Sequence, residues 1–346
     1  MCDVSVIIPI YNGEKWINNC MKSIASQTII NTELKLEIIV YNDGSTDGTE
    51  KLLNQWAQYF KQKRVNFILT GSLSTRGVGA AKNGAVFVSS GNFLCFQDID
   101  DIMQPHRIML QWQYAVNHLN TLIGSRISRI PFDSTPRYVR WANNMKSNEL
   151  KLQIYTSNGS TLLMPTWFCH RSVFDKVGGF DEKGAGTPED LIFFHKHLEL
   201  GGDLHRINND LVIYSYHANA TSLSISRECI WNIQLEKLQI NVLQHWKHFT
   251  VWNAGKSGRR FVRALNPENL KKVVAFCDVD KKKIGNDIEL YCPHKRKVLI
   301  KLPVIHFLDA KCPLIICVKL DLTNGLFESN LKSLNLTEGK DYFLFS

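Results

Sequence analysis

The chain alternates strand-like and helix-like stretches over its first 220 residues. Four of the strand-like stretches are continuous apolar runs, as expected of strands that are covered on both faces of a sheet. Alternation of such strands with helices predicts a parallel sheet with helices packed on both sides. The predicted strands span residues 4–10, 36–43, 65–70 and 92–98, and the predicted helices between them span residues 14–27, 50–60 and 79–90.

Polar side chains stand where three of these strands end. Pro9–Asn12 close the first strand, Asp43 closes the second, and Asp98–Asp101 close the fourth. In parallel α/β sheets, ligands bind beyond the carboxyl ends of the strands. The three strand ends are therefore expected to converge on one binding site.

A second, smaller α/β unit is predicted at the carboxyl end of the chain. Residues 222–247 look helical and are suited to connect the two parts. Further strands are expected at residues 248–253, 273–280, 314–318 and 342–345, with a helix over residues 254–265. The predicted domains are residues 1–225, a helical connector over 226–247, and a compact unit over 248–346.

Composition narrows the class of protein. An apolar fraction of 44% is normal for a packed globular chain and excludes global disorder. No apolar stretch approaches the roughly 20 residues that cross a bilayer, and the N-terminal sequence lacks the basic leader of a signal peptide. The nine cysteines include no Cys-x-x-Cys pair, and several of them sit in apolar runs. We therefore expect a soluble cytoplasmic chain without disulfides or zinc sites.

Positive charge is concentrated in the last third of the chain. The formal net charge is +9, and residues 251–346 contribute 17 Lys and Arg against 10 Asp and Glu. This lopsided distribution is compatible with a polyanionic partner. A basic surface that is merely solvated is the alternative explanation, and the charge count leaves both open.

The sharpest chemical feature is the segment Gln97–Asp101, in which acidic side chains follow a buried strand. Side chains two residues apart in an extended segment project to the same side, so Asp98 and Asp100 are expected to lie close together. Close carboxylates repel one another unless a cation lies between them, and oxygen ligands favour Mg²⁺ or Mn²⁺. We expect this pair to bind a metal or a nucleotide. Asp101 is instead expected to cap a helix that starts near Pro105.

Six sequence segments occur in an order that resembles a known enzyme family. Three of them are VSVIIPIYNGEKWINNCMKSIASQT, IIVYNDGSTDGT and GVGAAKNGAVFVSSGNFLCFQDIDD. The others are SVFDKVGGFDE, GTPEDLIFFHKHLELGG and YSYHANATSLS, so that the resemblance covers residues 3–225. Together they resemble the family 2 glycosyltransferases, inverting enzymes that use nucleotide sugars. The resemblance implies the GT-A fold for the large domain, a UDP-sugar donor, and Mn²⁺ or Mg²⁺ as cofactor.

The resemblance also implies a role for individual residues. Asp43 is implied to hydrogen-bond the uracil ring, and Asp98 to face the ribose. Asp100 and His217 are implied to lie at the metal and the diphosphate, and Asp190 to be the general base. The uridine pocket is implied to be lined by Pro9, Tyr11, Asn12 and Glu14.

Two positively charged residues depart from the family pattern. Lys82 stands where many relatives have arginine; lysine keeps the charge but loses the two-pronged fork, and we expect it to contact phosphate or ribose. Arg76 is expected to serve the diphosphate. The QxxRW motif of processive polysaccharide synthases is absent from the sequence, which implies that one sugar is added at a time.

Three further residues are candidates for contact with the acceptor. Trp167 and His170 precede a corner where this family often builds its acceptor pocket, with a place in the core as the alternative. Glu189 lies beside Asp190 and is expected to raise the pKa of that neighbour. The alternative for this acidic pair is a structural one, two charges that complement the dipole of a helix N-terminus.

The segment Asn253–Gly258 follows a predicted strand and opens a helix, as a dinucleotide-binding GxGxxG loop does, but its first glycine is replaced by Asn253. Asp278 and Asp280 lie near the position of a ribose-binding acid. We favour a Rossmann-like fold that serves as a docking module, with a working NAD site as the alternative.

Basic residues of this small unit are candidates for contact with RNA. The layout resembles family 2 enzymes that modify tRNA, which implies transfer of galactose from UDP-galactose to the queuosine base of a cytosolic tRNA. The alternative is a β-1,3-N-acetylglucosaminyltransferase, or another UDP-sugar transferase, that acts on a glycan or a protein. The candidate RNA-binding residues are Arg259, Arg260, Lys281, Lys282, Lys283, Lys295, Arg296 and Lys297.

Overall fold

The computed structural model describes residues 2–218, 220, 224–292 and 296–346. The chain divides into two compact units. The first comprises residues 1–150 and 160–226, and the second comprises residues 151–159 and 227–346. The short segment 151–159 therefore folds with residues that follow it much later in the sequence.

The first half of unit one contains a parallel sheet whose strands lie in the order β3-β2-β1-β4. The four predicted strands are confirmed, and each is followed by a helix or by a polar loop. All seven residues of β1 are buried, which explains its unbroken apolar character. The strands are β1 Val4–Ile10, β2 Leu36–Asp43, β3 Asn66–Ser72 and β4 Phe93–Phe96, and the helices are α1 Glu14–Ala25, α2 Thr49–Gln62 and α3 Val78–Val88.

The second half of unit one extends the sheet with strands that the sequence patterns did not predict. β7 pairs antiparallel with β4, and β6 pairs parallel with β8, so the eight-stranded sheet is mixed. The strands are β5 Ile102–Met103, β6 Thr121–Ile130, β7 Phe168–His170 and β8 Asp203–Ser215. The helices are α4 Arg107–Ala115, α5 Pro136–Asn144, α6 Arg171–Val177 and α7 Glu189–Glu199.

The main core of unit one lies between the sheet and the helices that follow its first strands. Ile17 of α1 and Leu53 and Phe60 of α2 are fully buried against Val6 and Ile8 of β1. Each large apolar side chain removed from water in this way stabilises the fold by about 1.5–3 kcal/mol. This packing fixes the loops at the carboxyl ends of β1, β2 and β4, where the candidate site lies.

Unit two is a smaller α/β unit with a six-stranded sheet in the order β11-β12-β10-β9-β13-β14. Its strands run parallel except β11, which forms an antiparallel pair with β12. The strands are β9 Phe249–Trp252, β10 Val273–Asp278, β11 Asp287–Cys292, β12 Lys297–His306, β13 Leu314–Ile316 and β14 Tyr342–Leu344. The helices are α8 Arg227–Asn241, α9 Lys256–Ala264, α10 Pro267–Leu270 and α11 Leu326–Ser333.

The structure also bears on membrane insertion. Among the described residues, no helix combines the length and the apolar character that crossing a bilayer requires.

Candidate functional site

Three carboxylates meet in the loop that follows β4. Asp98, Asp100 and Asp101 each offer an oxygen, and these oxygens all lie within 4.8 Å of one another. The sequence predicted the closeness of Asp98 and Asp100 from their spacing, and the structure adds Asp101 as a third member. The three residues are called the acid cluster below.

Buried polar side chains hold the acid cluster in place. Gln97 donates from Nε2 to the carbonyl oxygens of Asp98 and Asp101, over 2.8 and 2.9 Å. The fully buried Arg107 in turn donates to Gln97 Oε1 over 2.6 Å and to the carbonyl oxygen of Phe96 over 2.7 Å. Because the backbone of Phe96, Asp98 and Asp101 is tied to buried donors, the carboxylates are held together despite their mutual repulsion.

Asp101 does not cap a helix, and the prediction that it does so is wrong. Helix α4 begins at Arg107, six residues beyond Asp101, and its N-cap residue is His106. Asp101 is fully buried, and its Oδ1 accepts a hydrogen bond of 2.8 Å from the backbone N–H of Ser215. Its Oδ2 is buried without a hydrogen-bond partner among the described residues. A buried carboxylate oxygen left without a donor is costly, and a cation would satisfy it.

The protonation of the acid cluster is strongly perturbed. Burial raises the pKa of Asp98 to about 7, with Lys82 opposing the shift and Asp100 adding to it. Burial and the neighbouring charges of Asp100 and Asp98 raise the pKa of Asp101 well above its ordinary value. Such shifts identify a place where negative charge is crowded and where a cation would bind by displacing protons.

His217 lies at the acid cluster, as the resemblance implied. Its Nε2 is 2.8 Å from Asp100 Oδ2, and its ring stacks on Trp16 with centroids 4.7 Å apart. Its Nδ1 is buried without a partner in the part of the chain that the structure describes. A cavity of about 230 Å³ opens beside Asp100 and His217. Carboxylate oxygens with one imidazole nitrogen suit Mn²⁺ or Mg²⁺, so the residues present fit the expected metal.

The loop after β1 is clamped to the loop after β2. Asn12 accepts a hydrogen bond from the backbone N–H of Thr46 over 2.8 Å, and Glu14 Oε2 accepts one from Gly48 over 2.9 Å. Asn12 adopts a left-handed backbone with φ of 49°, which asparagine tolerates better than most residues. Among the residues expected in the uridine pocket, Tyr11 is 52% exposed, whereas Pro9 is buried within β1. Pro9 is therefore enclosed within the strand, and Glu14 is engaged at the start of α2.

Asp43 shapes the loop between β3 and α3. Its carboxylate accepts hydrogen bonds from the backbone N–H groups of Arg76 and Gly77 and from the hydroxyl of Ser72, over 2.8 to 3.0 Å. Gly77 has φ of 99°, a conformation that glycine alone adopts readily. The guanidinium of Arg76 points elsewhere and pairs with Glu182 on the surface over 3.0 Å. Contact of Asp43 with uracil and of Arg76 with diphosphate remain predictions.

Asp190, the expected general base, lies in the first turn of α7. Its Oδ1 accepts a hydrogen bond of 2.7 Å from the backbone N–H of Leu191. Burial and the neighbouring charge of Glu189 raise the pKa of Asp190 to about 6, against the opposing effect of Lys82. These surroundings are thus the ones expected for a carboxylate that takes up a proton near neutral pH.

Lys82 and Glu189 form a buried ion pair. Lys82 Nζ lies 2.7 Å from Glu189 Oε1, and the two side chains are 2% and 8% exposed. This burial does not support the expected contact of Lys82 with phosphate or ribose, which remains a prediction. It does not support the expected contact of Glu189 with an acceptor either, because the carboxylate of Glu189 is engaged by Lys82.

The positions of Trp167 and His170 do not support the acceptor contact expected of them. Trp167 is fully buried, stacks among phenylalanines such as Phe193, and donates from its indole nitrogen to the carbonyl oxygen of Leu162 over 2.9 Å. His170 lies opposite Phe93 in the sheet, at the start of β4. The acid cluster follows the other end of β4, so His170 stands at the wrong edge of the sheet. Spacing alone did not reveal the antiparallel direction of β7.

The candidate RNA-binding residues of unit two fall into two groups. Three are engaged within the chain: Arg259 Nε donates to the carbonyl oxygen of Ala254, Arg260 pairs with Glu228, and Lys283 pairs with Asp278 over 3.0 Å. These three are less available to a polyanion than the sequence suggested. The exposed members are Lys281, Lys282, Arg296 and Lys297, and Lys295 lies outside the described residues.

The glycine-rich segment of unit two has a structural explanation. A Cβ at Gly258 would lie 1.9 Å from the carbonyl oxygen of Asn253, so only glycine lets α9 pack this closely on the loop after β9. The carboxylate of Asp278 accepts hydrogen bonds from Ala254, Val279 and Asp280, besides its pair with Lys283. The acid expected at a ribose is thus occupied by its own chain.

The chain matches one protein-family model, described as "Glycosyl transferase family 2", over residues 5–178. Among curated relatives, chondroitin synthase of Escherichia coli is 27% identical over 258 residues, which is 72% of this chain and 34% of that protein. Poly(ribitol-phosphate) beta-glucosyltransferase of Bacillus spizizenii is 27% identical over 135 residues, 39% of this chain and 20% of that protein. The chain thus spans about a third of the length of the first relative and a fifth of the second.

Solved structures of other glycosyltransferases share the fold. S. aureus TarS in complex with UDP-GlcNAc superposes with a TM-score of 0.54 and 19% identity, covering 68% of this chain and 66% of that one. The mannosyltransferase PcManGT from Pyrobaculum calidifontis, in complex with GDP-Man and Mn²⁺, superposes with a TM-score of 0.50 and 18% identity, covering 78% and 72%. The α/β architecture with a mixed sheet and a second sheet is that of a GT-A fold, as expected from the sequence.

Proposed function

Because the chain belongs to glycosyl transferase family 2, we propose that it is an inverting, metal-dependent transferase that moves a hexose from a UDP-sugar to an acceptor hydroxyl. The observation that carries this proposal is the meeting of the acid cluster with His217 at the carboxyl edge of the sheet. Asp190 exerts an electrostatic influence on Asp98, so the proposed base and the proposed metal site share one environment. An inverting, metal-dependent transferase uses both.

Asp190 acts as the general base in this proposal. An acceptor hydroxyl is too weak an acid to attack unaided, so a carboxylate within hydrogen-bond reach takes its proton as the new bond forms. The hydroxyl oxygen bonds to the anomeric carbon, the bond from that carbon to UDP breaks, and the proton passes to Asp190. Attack from the side opposite the leaving UDP inverts the anomeric centre. The pKa of Asp190, raised to about 6 by burial and by Glu189, suits this role near neutral pH.

The acid cluster and His217 are proposed to hold Mn²⁺ or Mg²⁺. When bound, the cation neutralises negative charge on the departing diphosphate. The chain contributes Asp100 and Asp101 as oxygen ligands, with the unpartnered Oδ2 of Asp101 in support. Asp98 borders the same group and is proposed to face the ribose of the donor.

The donor is proposed to be UDP-galactose. Asp43 is proposed to bind the uracil ring, with Tyr11 and Asn12 beside it in the loop after β1. The exposure of Tyr11 and the rigid clamp between the loops after β1 and β2 support this placement. Galactose itself rests on the resemblance to tRNA-modifying members of the family.

The acceptor is proposed to be the queuosine base of a tRNA. In support, Lys281 and Lys282 of unit two are exposed, and the last third of the chain carries an excess of positive charge. The second candidate is a glycan or protein acceptor, including transfer of N-acetylglucosamine, and the names of the curated relatives favour it. An NAD-binding role for unit two is the weakest alternative, because Asp278 is occupied by its own chain.

Transfer of labelled galactose tests the proposed function directly. We expect tRNA that contains queuosine to gain one hexose from UDP-galactose, detected by mass spectrometry of its nucleosides. Folded Asp100→Ala and Asp190→Asn proteins should lose at least about 99% of this activity, given the 10²–10⁴-fold contribution of a base. Glu50→Gln, an exposed acid in α2, is the matched control and should retain full activity.

The same labelled donor separates the two acceptor classes. Incubation with a cell lysate should place the label on RNA, and label on glycan or protein would select the second candidate. Full activity of both Asp100→Ala and Asp190→Asn would refute the proposed site altogether.

A further inference from the structure

Arg129 is a buried cation without an acidic partner. The residue is 8% exposed and lies near the carboxyl end of β6. Its guanidinium carries five N–H donors, yet its only side-chain hydrogen bond within the described residues is a long one of 3.4 Å, from Nη1 to the carbonyl oxygen of Ser215. Nε is buried with no partner there, and no ion pair to a described carboxylate satisfies the charge.

Three tyrosines surround this guanidinium. Its carbon lies 4.0 Å from the ring centre of Tyr214, 5.5 Å from that of Tyr216 and 5.7 Å from that of Tyr138. Stacking on aromatic faces stabilises the cation but satisfies none of its in-plane N–H groups. Apart from the long hydrogen bond to Ser215, the edge of the guanidinium, which binds phosphate in a two-pronged fashion elsewhere in proteins, is therefore left without a partner among the described residues. We refer to Arg129, Tyr138, Tyr214 and Tyr216 as the arginine–tyrosine cluster.

The arginine–tyrosine cluster belongs to the same region of unit one as the acid cluster. Ser215, which accepts from Arg129, also donates its backbone N–H to Asp101. Burial raises the pKa of Tyr214 well above its ordinary value, and the charges of Asp101 and Asp98 add to this shift. Burial raises the pKa of Tyr138 to about 12, and the charge of Asp190 adds to this shift. The cluster is thus electrostatically linked to both the proposed metal site and the proposed base.

A buried charge without a partner destabilises a protein unless a ligand completes it. The geometry points to a phosphate group as that ligand: we propose that Arg129 binds a substrate phosphate beside the acid cluster, to which Ser215 joins it. The inference rests on the proposed function, because the phosphate belongs to one of the two substrates. It is either the diphosphate of the donor or a phosphate next to the accepting group in a nucleic-acid or phosphate-bearing acceptor.

Variants of Arg129 test this assignment by binding rather than by turnover. The proteins are wild type, Arg129→Gln and Arg129→Lys, with Arg126→Gln as the matched control. Arg126 lies on the same strand but donates to the carbonyl oxygen of Asn143 over 3.0 Å, so its partner is within the chain. Thermal unfolding establishes that each protein is folded. Arg129→Lys keeps the charge and serves as the test if Arg129→Gln does not fold.

The probes are UDP, uridine and a tRNA anticodon stem–loop, each titrated in the presence of Mn²⁺. If the phosphate is the donor's, Arg129→Gln should bind UDP at least about tenfold more weakly and uridine with unchanged affinity. If it is the acceptor's, UDP affinity should be unchanged and the stem–loop should bind at least about tenfold more weakly. Arg129→Lys should fall between wild type and Arg129→Gln, and Arg126→Gln should match wild type.

Equal affinity of wild type and the Arg129 variants for all three probes would overturn the inference. In a protein that still transfers hexose, that result would leave the proposed function standing. A wild-type protein that binds none of the probes would overturn both.

Discussion

Lys82 brings a positive charge into a buried group of three carboxylates. Its pKa is shaped first by burial, which lowers it, and then by Glu189, Asp98 and Asp190, which together raise it. The charge of Lys82 in turn opposes the rise that burial causes in the pKa of Asp98 and of Asp190. Lys82 thereby holds the proposed base closer to the ionised state.

Replacing Lys82 with methionine should change both stability and pH dependence. Glu189 would be left as a buried charge without a partner, so the free energy of unfolding should fall by about 3–5 kcal/mol. The pKa of Asp190 should rise when Lys82 no longer opposes the effect of burial. Because a base is active when deprotonated, the acidic limb of the pH–rate profile should move from near pH 6 to higher pH. Urea denaturation and initial rates between pH 5 and 9 measure the two effects.

The matched control is the double variant Lys82→Met with Glu189→Leu. Replacing both members of a buried pair with apolar side chains is often neutral, so most of the lost stability should return. A Lys82→Met protein with unchanged stability and an unchanged acidic limb would contradict the role given to this pair.

Spacing along the chain predicted some members of the site and missed others. Asp98 and Asp100 were predicted because alternation at a strand end is a local property. Asp101 was assigned to a helix cap because its actual partner, Ser215, lies 114 residues away. The sequence around Arg129 did not mark it as a site residue. A buried cation without an acidic partner is recognised only when the side chains around it are known. Lys82 was predicted to contact phosphate or ribose because its partner Glu189 lies far away in the sequence, where local patterns do not reveal the pairing.

At the scale of elements, α1 and α2 begin side by side and cap one another. Asp47 accepts hydrogen bonds from the backbone N–H groups of Glu14, at the start of α1, and of Thr49, at the start of α2. Glu14 accepts in return from the backbone N–H of Gly48. Two carboxylates thus satisfy donors at two adjacent helix N-termini, where their charge also complements the helix dipoles.

Asp47→Ala should lower the free energy of unfolding by about 1 kcal/mol, the typical loss on removing a helix cap. Slight burial tends to raise the pKa of Asp47, but hydrogen bonds from Thr49 and Glu14 outweigh it and hold the pKa below its ordinary value. The stabilisation is therefore present at neutral pH and is lost as the pH falls through this lowered pKa. Urea denaturation of wild type and variant at pH 7 and near pH 3 measures both.

Glu33→Ala removes another exposed acid, from the loop before β2, and should leave stability unchanged. A difference between wild type and Asp47→Ala that persists in full at the acidic pH would show that the carboxylate charge is not what stabilises these helix ends.

Whether an element could be predicted depended on how it is buried. β1 and β2 are covered on both faces, so each is a continuous apolar run that the sequence reveals. β6 and β8 carry arginine, serine and asparagine between their apolar residues, and β7 has three residues only. These strands are held by pairing with distant partners, and no local pattern indicates that pairing.

At the scale of the whole molecule, the site is assembled from segments that are far apart in the sequence. The loops after β1, β2 and β4, the first turn of α7 and the end of β8 all belong to unit one. The rule for parallel sheets predicted the convergence of the first three. The contributions of α7 and β8 were expected only from the resemblance to a family, because the direction of β8 depends on the mixed part of the sheet.

Division of the chain into units also has a part that local patterns do not reveal. Residues 151–159 fold with unit two although unit one surrounds them in the sequence. Tyr155 in this segment packs edge-on against Phe343 of β14, and the two rings are 5.9 Å apart. A contact between residues nearly two hundred positions apart does not affect the local pattern of apolar and polar residues, so the sequence does not predict it.

The central claim is that acids at the carboxyl edge of the sheet hold a divalent cation against the diphosphate of the donor. The most direct test is an anomalous difference map at the manganese edge from crystals grown with Mn²⁺ and UDP. The account predicts one strong peak in contact with the carboxylate of Asp100 and with the diphosphate, and its loss in Asp100→Ala crystals. UDP bound in the pocket with no peak at Asp98, Asp100 or Asp101 would contradict it.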